Sequence, residues 1–282
     1  MEFLGVEVLE GDFIVANNSG LTTVASGTVN TTGIAIWQNL PVLTNITTPN
    51  TRYIGSLLLD TIPQPTVGDL GPGLQQINEV YIRNTSLAFF AGLTLEDAQM
   101  DVLEIVGNSY LQDVYFGVGN VTRHLIIKDN GGSMSIKLPE LTYAYSLEIA
   151  DASDIDLSGL QSVSSSFSIS GNDVQGLAFA DLSFVGGDLS ISNSPLLKHV
   201  DFSELVSAQG DLKIVDNSQL VQLDGFAKLN AIGGSLEVRG QMERYGKSIR
   251  HNPTTYTNRC VVSIYLSFRP SPTESLYLQR PA

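Results

Sequence analysis

One motif constrains this chain more than any other feature: it returns every 20–24 residues from residue 12 to residue 240. The motif is an apolar residue, any residue, a second apolar residue, then a turn that often contains Asn. Its clearest copies are GDLSISNSPL (187–196) and GDLKIVDNSQL (210–220), followed by GSLEVRG (234–240). Earlier copies are SFSISGND (166–173), SLEIADAS (146–153), HLIIKDN (124–130), VLEIVGN (102–108), VYIRNT (80–85), SLLLDT (56–61), GIAIWQN (33–39) and DFIVANN (12–18). The first apolar positions read as Phe13, Ile34, Leu57, Val80, Leu103, Leu125, Leu147, Phe167, Leu189, Leu212 and Leu236. A fixed period of this length is the signature of a solenoid, in which one core grows by stacking.

Apolar residues two apart share one face of a strand, so Leu212 and Ile214 are expected in the core and Lys213 in solvent. Each strand is too short to bury its own face, and parallel stacking at about 4.8 Å supplies the missing partner. The predicted fold is therefore mainly β, a parallel β-solenoid of about eleven coils over residues 1–240. Gly-Gly precedes a strand at 186–187 and 233–234, and the return arms are expected to be turns, short strands or a single helical turn. LTLEDAQMDVL (93–103) is the exception, its first part patterned for about two helical turns.

Asn forms a second ladder, four or five residues after the first strand position: Asn17 or Asn18, Asn39, Asn84, Asn108, Asn130, Asn172, Asn193 and Asn217. An Asn in a sharp turn can satisfy buried backbone groups and tolerates left-handed geometry. Five Asn residues also lie in Asn-x-Ser/Thr sequons, namely Asn17, Asn30, Asn45, Asn84 and Asn120, which points to secretory-pathway glycosylation. A ladder Asn turned inward could not carry sugar, so Asn30, Asn45 and Asn120 are expected to be better acceptors than Asn17 and Asn84.

Charge divides the chain. Residues 1–240 hold 9 of the 15 Lys and Arg and 27 of the 29 Asp and Glu, whereas residues 241–282 carry a net +4. The basic segment has no repeat and contains the single cysteine, Cys260; it reads as a cap or as a mis-assigned gene end, its reversed composition favouring the second. A formal net charge of −14 repels phosphate backbones, so nucleic acid is not an expected partner. No apolar run approaches the roughly 18–20 residues needed to span a bilayer. MEFLGVEVLEGDF lacks the pattern of a signal peptide and the carboxyl end lacks a GPI signal, so the chain reads as a piece of a longer precursor or else as cytosolic.

The units at 187–238 resemble the repeats of the fungal GPI-anchored cell-wall-organisation proteins, a receptor L-domain group related to leucine-rich repeats. The resemblance implies a right-handed superhelix, secretion, N-glycosylation, a wall or plasma-membrane location and a role in cell-wall integrity. It implies anchorage through a GPI group that this chain does not itself encode, and it carries over no catalytic residue. The expected partners are wall polysaccharide or a wall or membrane protein, with membrane contact only through that anchor.

Chemistry is hard to find. An enzymatic alternative, a carbohydrate-active β-helix, needs carboxylates converging at roughly 5–9.5 Å, or an acidic calcium cluster. Asp151, Asp154 and Asp156 in DASDIDLSG mimic half a calcium loop, but Ser165 stands where the bidentate Glu belongs, so a polar turn is expected. His124, His199 and His251 lack metal-ligand spacing. No catalytic residue, metal or cofactor is expected. Trp37 and Tyr81 sit one residue off the inward pairs Ile34/Ile36 and Val80/Ile82, and are the candidate contacts for a glycan or protein.

Overall fold

A computed structural model describes residues 2–3, 8–26, 30–69, 74–91, 98–132, 134–240, 244–245 and 262–266. Those residues form a parallel β-solenoid whose every coil runs through three strand faces. The first face is one register ladder, Phe13–Ala35–Leu57–Val80–Leu103–Leu125–Leu147–Phe167–Leu189–Leu212–Leu236. Apart from the half-buried Phe13, each of these residues is buried. So is the residue two further on, from Val15 and Trp37 to Ile214 and Val238.

The ladder corrects one register expected from the sequence. In the second coil the inward pair is Ala35 and Trp37, not Ile34 and Ile36. GIAIW offers apolar residues at both phases, so alternation alone could not choose. Packing chooses: Trp37 pairs in register with Val15 and Leu59 and meets the Phe13 ring at 5.5 Å, while Ile34 is left 40% exposed. The small Ala35 beside the large Trp37 keeps the volume of that layer close to its neighbours'.

The second face follows the turn. In the first two coils it holds Thr23–Ser26 and Asn45–Thr47, and further on Asp113–Tyr115, Met134–Lys137 and Ala152–Asp156 in one sheet and Gly176–Ala178, His199–Asp201, Gln222–Asp224 and Arg244–Tyr245 in another. Between this face and the next lies a spine of phenylalanines: Phe179 stacks on Phe202 at 5.3 Å and Phe202 on Phe226 at 5.8 Å, with Phe167 edge-on to Phe179 at 5.1 Å. The third face comprises Tyr143–Ala144, Ser162–Val163, Phe184–Val185, Ser207–Ala208 and Ala231–Ile232. The chain then turns onto the next first-face strand through a corner so tight that a Cβ on Gly233 would strike the Gln209 carbonyl oxygen.

No helix occurs among the described residues. The helical turns expected in the first part of 93–103 fall on residues 93–97, outside the described residues, and Ala98–Val106 is a strand. His251 and Cys260 also lie outside them. Beyond Gly240, Val262–Leu266 pairs in parallel with Leu236–Gly240, and Arg244–Tyr245 pairs with Gln222–Asp224.

Candidate functional site

The Asn ladder is two adjacent columns with different work. Immediately after each of the first ten first-face strands comes a left-handed residue: Asn17, Asn39, Thr61, Asn84, Gly107, Asp129, Asp151, Gly171, Asn193 and Asp216, all with φ between 52° and 76°. Asn, Asp and Gly reach this region at little cost, which explains every member of the column except the β-branched Thr61. The next residue turns inward. Asn217 donates from Nδ2 to the Ile191 carbonyl at 3.0 Å and accepts from the Ser194 amide at 3.0 Å. Asn108 likewise donates to the Ile82 carbonyl at 2.9 Å and accepts from the Thr85 amide at 3.0 Å. Each such Asn thereby bonds two backbone groups of the preceding coil at the turn.

This division changes the ranking of the sequons. Asn17 and Asn84 belong to the left-handed column and are exposed, so the reason for setting them aside fails. Asn45 is exposed on the second face, its Oδ1 accepting from the Thr47 hydroxyl of its own sequon at 2.9 Å. Asn30 and Asn120 are only half-exposed on the third face. The Asn30 Oδ1 accepts from the Arg52 amide at 2.7 Å, and the Asn120 Oδ1 from the Thr142 hydroxyl at 3.2 Å.

Of the two aromatic candidates, Trp37 is wholly buried and cannot touch a ligand. Tyr81 has the outward phase expected of it and is half-buried among polar partners. Its hydroxyl donates to Glu79 Oε2 at 3.3 Å, and the Arg83 guanidinium lies 4.8 Å from its ring centre. Burial and the neighbouring Glu79 raise the pKa of the Tyr81 phenol.

Tyr81 is part of a larger outward network that the sequence did not disclose, because its members lie about 22 or 44 residues apart. Glu79 accepts from Ser56 Oγ at 2.8 Å and from Arg123 at 2.7 Å, the latter reaching across two coils. Arg83 pairs with Glu104 at 2.5 Å, Lys128 with Glu148 at 2.7 Å, and Gln38 Nε2 donates to Asp60 at 2.8 Å. Hydrogen bonding to the Glu104 carboxylate raises the pKa of Arg83, as Glu148 does for Lys128. Where these rungs turn toward the second face, Asn17, Ser19, Asn39, Pro41, Thr61 and Pro63 line a shallow groove.

The acidic stretch at 151–156 does not converge. Asp151 sits in the left-handed column and accepts from the Asp129 amide, whereas Asp154 and Asp156 face outward on the second face, engaged by Ser135 and by the Ser158 amide. Among the described residues no group of three or more His, Cys, Asp or Glu is placed to hold a metal ion. His124 lies 3.8 Å from Glu104 and His199 3.2 Å from Asp224, on different faces.

No protein-family pattern matches the chain. No solved structure matches it. Curated proteins do. Sporulation-specific protein 2 of Saccharomyces cerevisiae is 24% identical over 242 residues, covering 85% of this chain and 47% of the yeast protein. A cell surface GPI-anchored protein of Arthroderma benhamiae is 25% identical over 60% of the chain and 43% of its own length. Cell wall protein ecm33 of Schizosaccharomyces pombe is 23% identical over 68% of the chain and 46% of its length. The chain thus spans about half the length of the curated relatives it matches. By these similarities the chain is like fungal cell-surface and cell-wall proteins of the Ecm33 type, in keeping with the resemblance read from its repeats.

Proposed function

We propose that this chain is the non-catalytic solenoid domain of a wall protein, contributing to cell-wall organisation through a surface that contacts wall polysaccharide or another wall or membrane protein. The full-length protein is held at the membrane by a GPI anchor, as the Arthroderma benhamiae relative is by its name. One observation carries the non-catalytic reading. Four outward carboxylates of the first face, Glu79, Asp60, Glu104 and Glu148, are each tied to another coil by a cation or an amide, and a fifth, Glu237, to Arg239 of its own strand, which is how a rigid scaffold uses them. The sequons fall in residues 17–120 and lie on the corner, second face or third face, so sugar on them leaves the flat of the first face open.

The test is complementation. The chain is fused to a secretion signal and a GPI signal and expressed in a fungus lacking its own Ecm33-type protein, then challenged with wall-perturbing dyes. Restored resistance is expected, and it should survive Asp154→Asn and Glu104→Gln, which would inactivate a carboxylate-dependent enzyme. Resistance lost in either variant, with the protein still folded and displayed, overturns the non-catalytic reading.

A further inference from the structure

The solvent side of the first face changes character along the solenoid. In the first four coils its central outward column is apolar: Ile14, Ile36, Leu58 and Tyr81 are partners in register, each alternating with a buried inward neighbour. Ile14 is 58% exposed, and Ile34 beside it 40%. From the fifth coil on, the same column reads Glu104, Ile126, Glu148, Ser168, Ser190, Lys213 and Glu237, which but for Ile126 is the ordinary polar exterior of a one-sided sheet. The fold does not require a run of apolar side chains in the first four outward positions, since six of the seven later coils stack with a polar residue there.

Polar rails run along both sides of the strip. On one side lie the polar groups of Asp12, Ser56 and Glu79, with Ile34 between the first two; on the other lie those of Gln38, Asp60 and Arg83, following Ala16. Hydrogen bonds hold these groups in place: Ser56 and Tyr81 to Glu79, Gln38 to Asp60, and Asp12 to the Ile34 amide. Their charge is mostly negative, and three of the six are carboxylates. That favours a partner rich in hydroxyl donors and disfavours an acidic one. It also disfavours a second copy of a chain of net charge −14, which would bring carboxylate rail against carboxylate rail. The strip is one side chain wide except where Ile34 flanks it, whereas a protein–protein interface surrounds a broad apolar centre with a polar rim.

We infer that the Ile14–Ile36–Leu58–Tyr81 strip is a docking track for an extended, neutral pyranose polysaccharide. The C–H faces of successive sugars lie on the apolar column and their hydroxyls donate to the carboxylate and amide rails. Rungs about 4.8 Å apart offer one contact per step of a straight chain, close to the length of one pyranose unit. Tyr81, fixed by Glu79 and by the Arg83 guanidinium against its ring, supplies the stacking platform at the end of the track. This inference rests on the surface-binding reading above and names the surface and the class of partner.

The test is binding of the secreted, intact chain to laminarihexaose, chitohexaose and cellohexaose by calorimetry and affinity electrophoresis. Wild type is expected to bind at least one, with Leu58→Ser and Tyr81→Ala each weakened about tenfold, as expected for loss of one apolar contact. Ser190→Ala, on the same face in a later coil, should bind as wild type does. All variants should melt within a few degrees of wild type, because every altered side chain lies on the outer phase of its strand, away from the core column. Equal binding by wild type and both strip variants overturns this surface while leaving a solenoid-surface function in place. Failure of wild type to bind any of the three polymers overturns the polysaccharide assignment, whatever complementation shows. A dimer in sedimentation that Leu58→Ser dissolves overturns it in favour of a second copy.

Discussion

At the scale of single residues, the same residue type does unlike things one position apart. Asn217 is buried and serves two backbone groups of the coil before it; Asn193 is exposed and serves by its left-handed φ of 53°. Asn217→Leu should cost about 1–3 kcal/mol for each group it orphans, and show as a clear drop in urea midpoint. Asn193→Gly should be near neutral, while Asn193→Val should cost about 1–2 kcal/mol from backbone strain. Equal effects of Asn217→Leu and Asn193→Gly would merge the two columns. Asp211 makes a pH prediction. A hydrogen bond from Lys213 at 2.6 Å and another from the Ser235 amide at 2.7 Å hold its pKa down to about 2. A carboxyl depressed in the folded state stabilises above its unfolded pKa of about 4 and loses that contribution as pH falls toward 2. Asp211→Asn should therefore flatten the fall in melting temperature between those values.

At the scale of the element, a strand here is a rung with an inner and an outer phase. Leu212→Asp places a carboxylate among Leu189, Leu236 and the rest of the column, at a cost of several kcal/mol. Lys213→Gln, on the outer phase of the same strand, should cost far less, because it removes only the partly exposed ion pair with Asp211 and leaves the column intact. Melting curves of the two variants test the phase directly. Corners are as demanding as rungs: Gly233→Val must push back the Gln209 carbonyl, so it should destabilise its coil far more than substitution of the exposed Gln209 itself.

At the scale of the whole molecule, stability passes between neighbouring coils, and the two ends are its open edges. The pairing of Val262–Leu266 with Leu236–Gly240 gives the last apolar rung a cover. A chain ending at Gly240 is expected to keep its β circular dichroism and lose solubility through that edge; sedimentation of the long and short forms decides. Secreted from a eukaryotic host, the chain should drop in mass on glycosidase treatment, with Asn17, Asn45 and Asn84 more fully occupied than the half-buried Asn30 and Asn120. Peptide mapping reads the order, and reversed occupancy would mean that local accessibility does not govern it.

The solenoid was legible in the sequence because its period is a property of neighbours along the chain: LSIS at 189–192 and LKIV at 212–215 announce the same rung before any contact is known. The Asn turns were legible for the same reason, since backbone demand at a sharp corner is local. Phase was not legible where apolar residues filled both faces. GIAIW reads equally well with Ile34 or Ala35 inward, and only packing against Phe13, Val15 and Leu59 buried Trp37 and brought Ile36 to the surface. The outward strip and its rails are wholly tertiary. Ile14, Ile36, Leu58 and Tyr81 are unremarkable along the chain, and stacking makes them one continuous surface because each coil returns its residues to the same azimuth about one strand spacing further on.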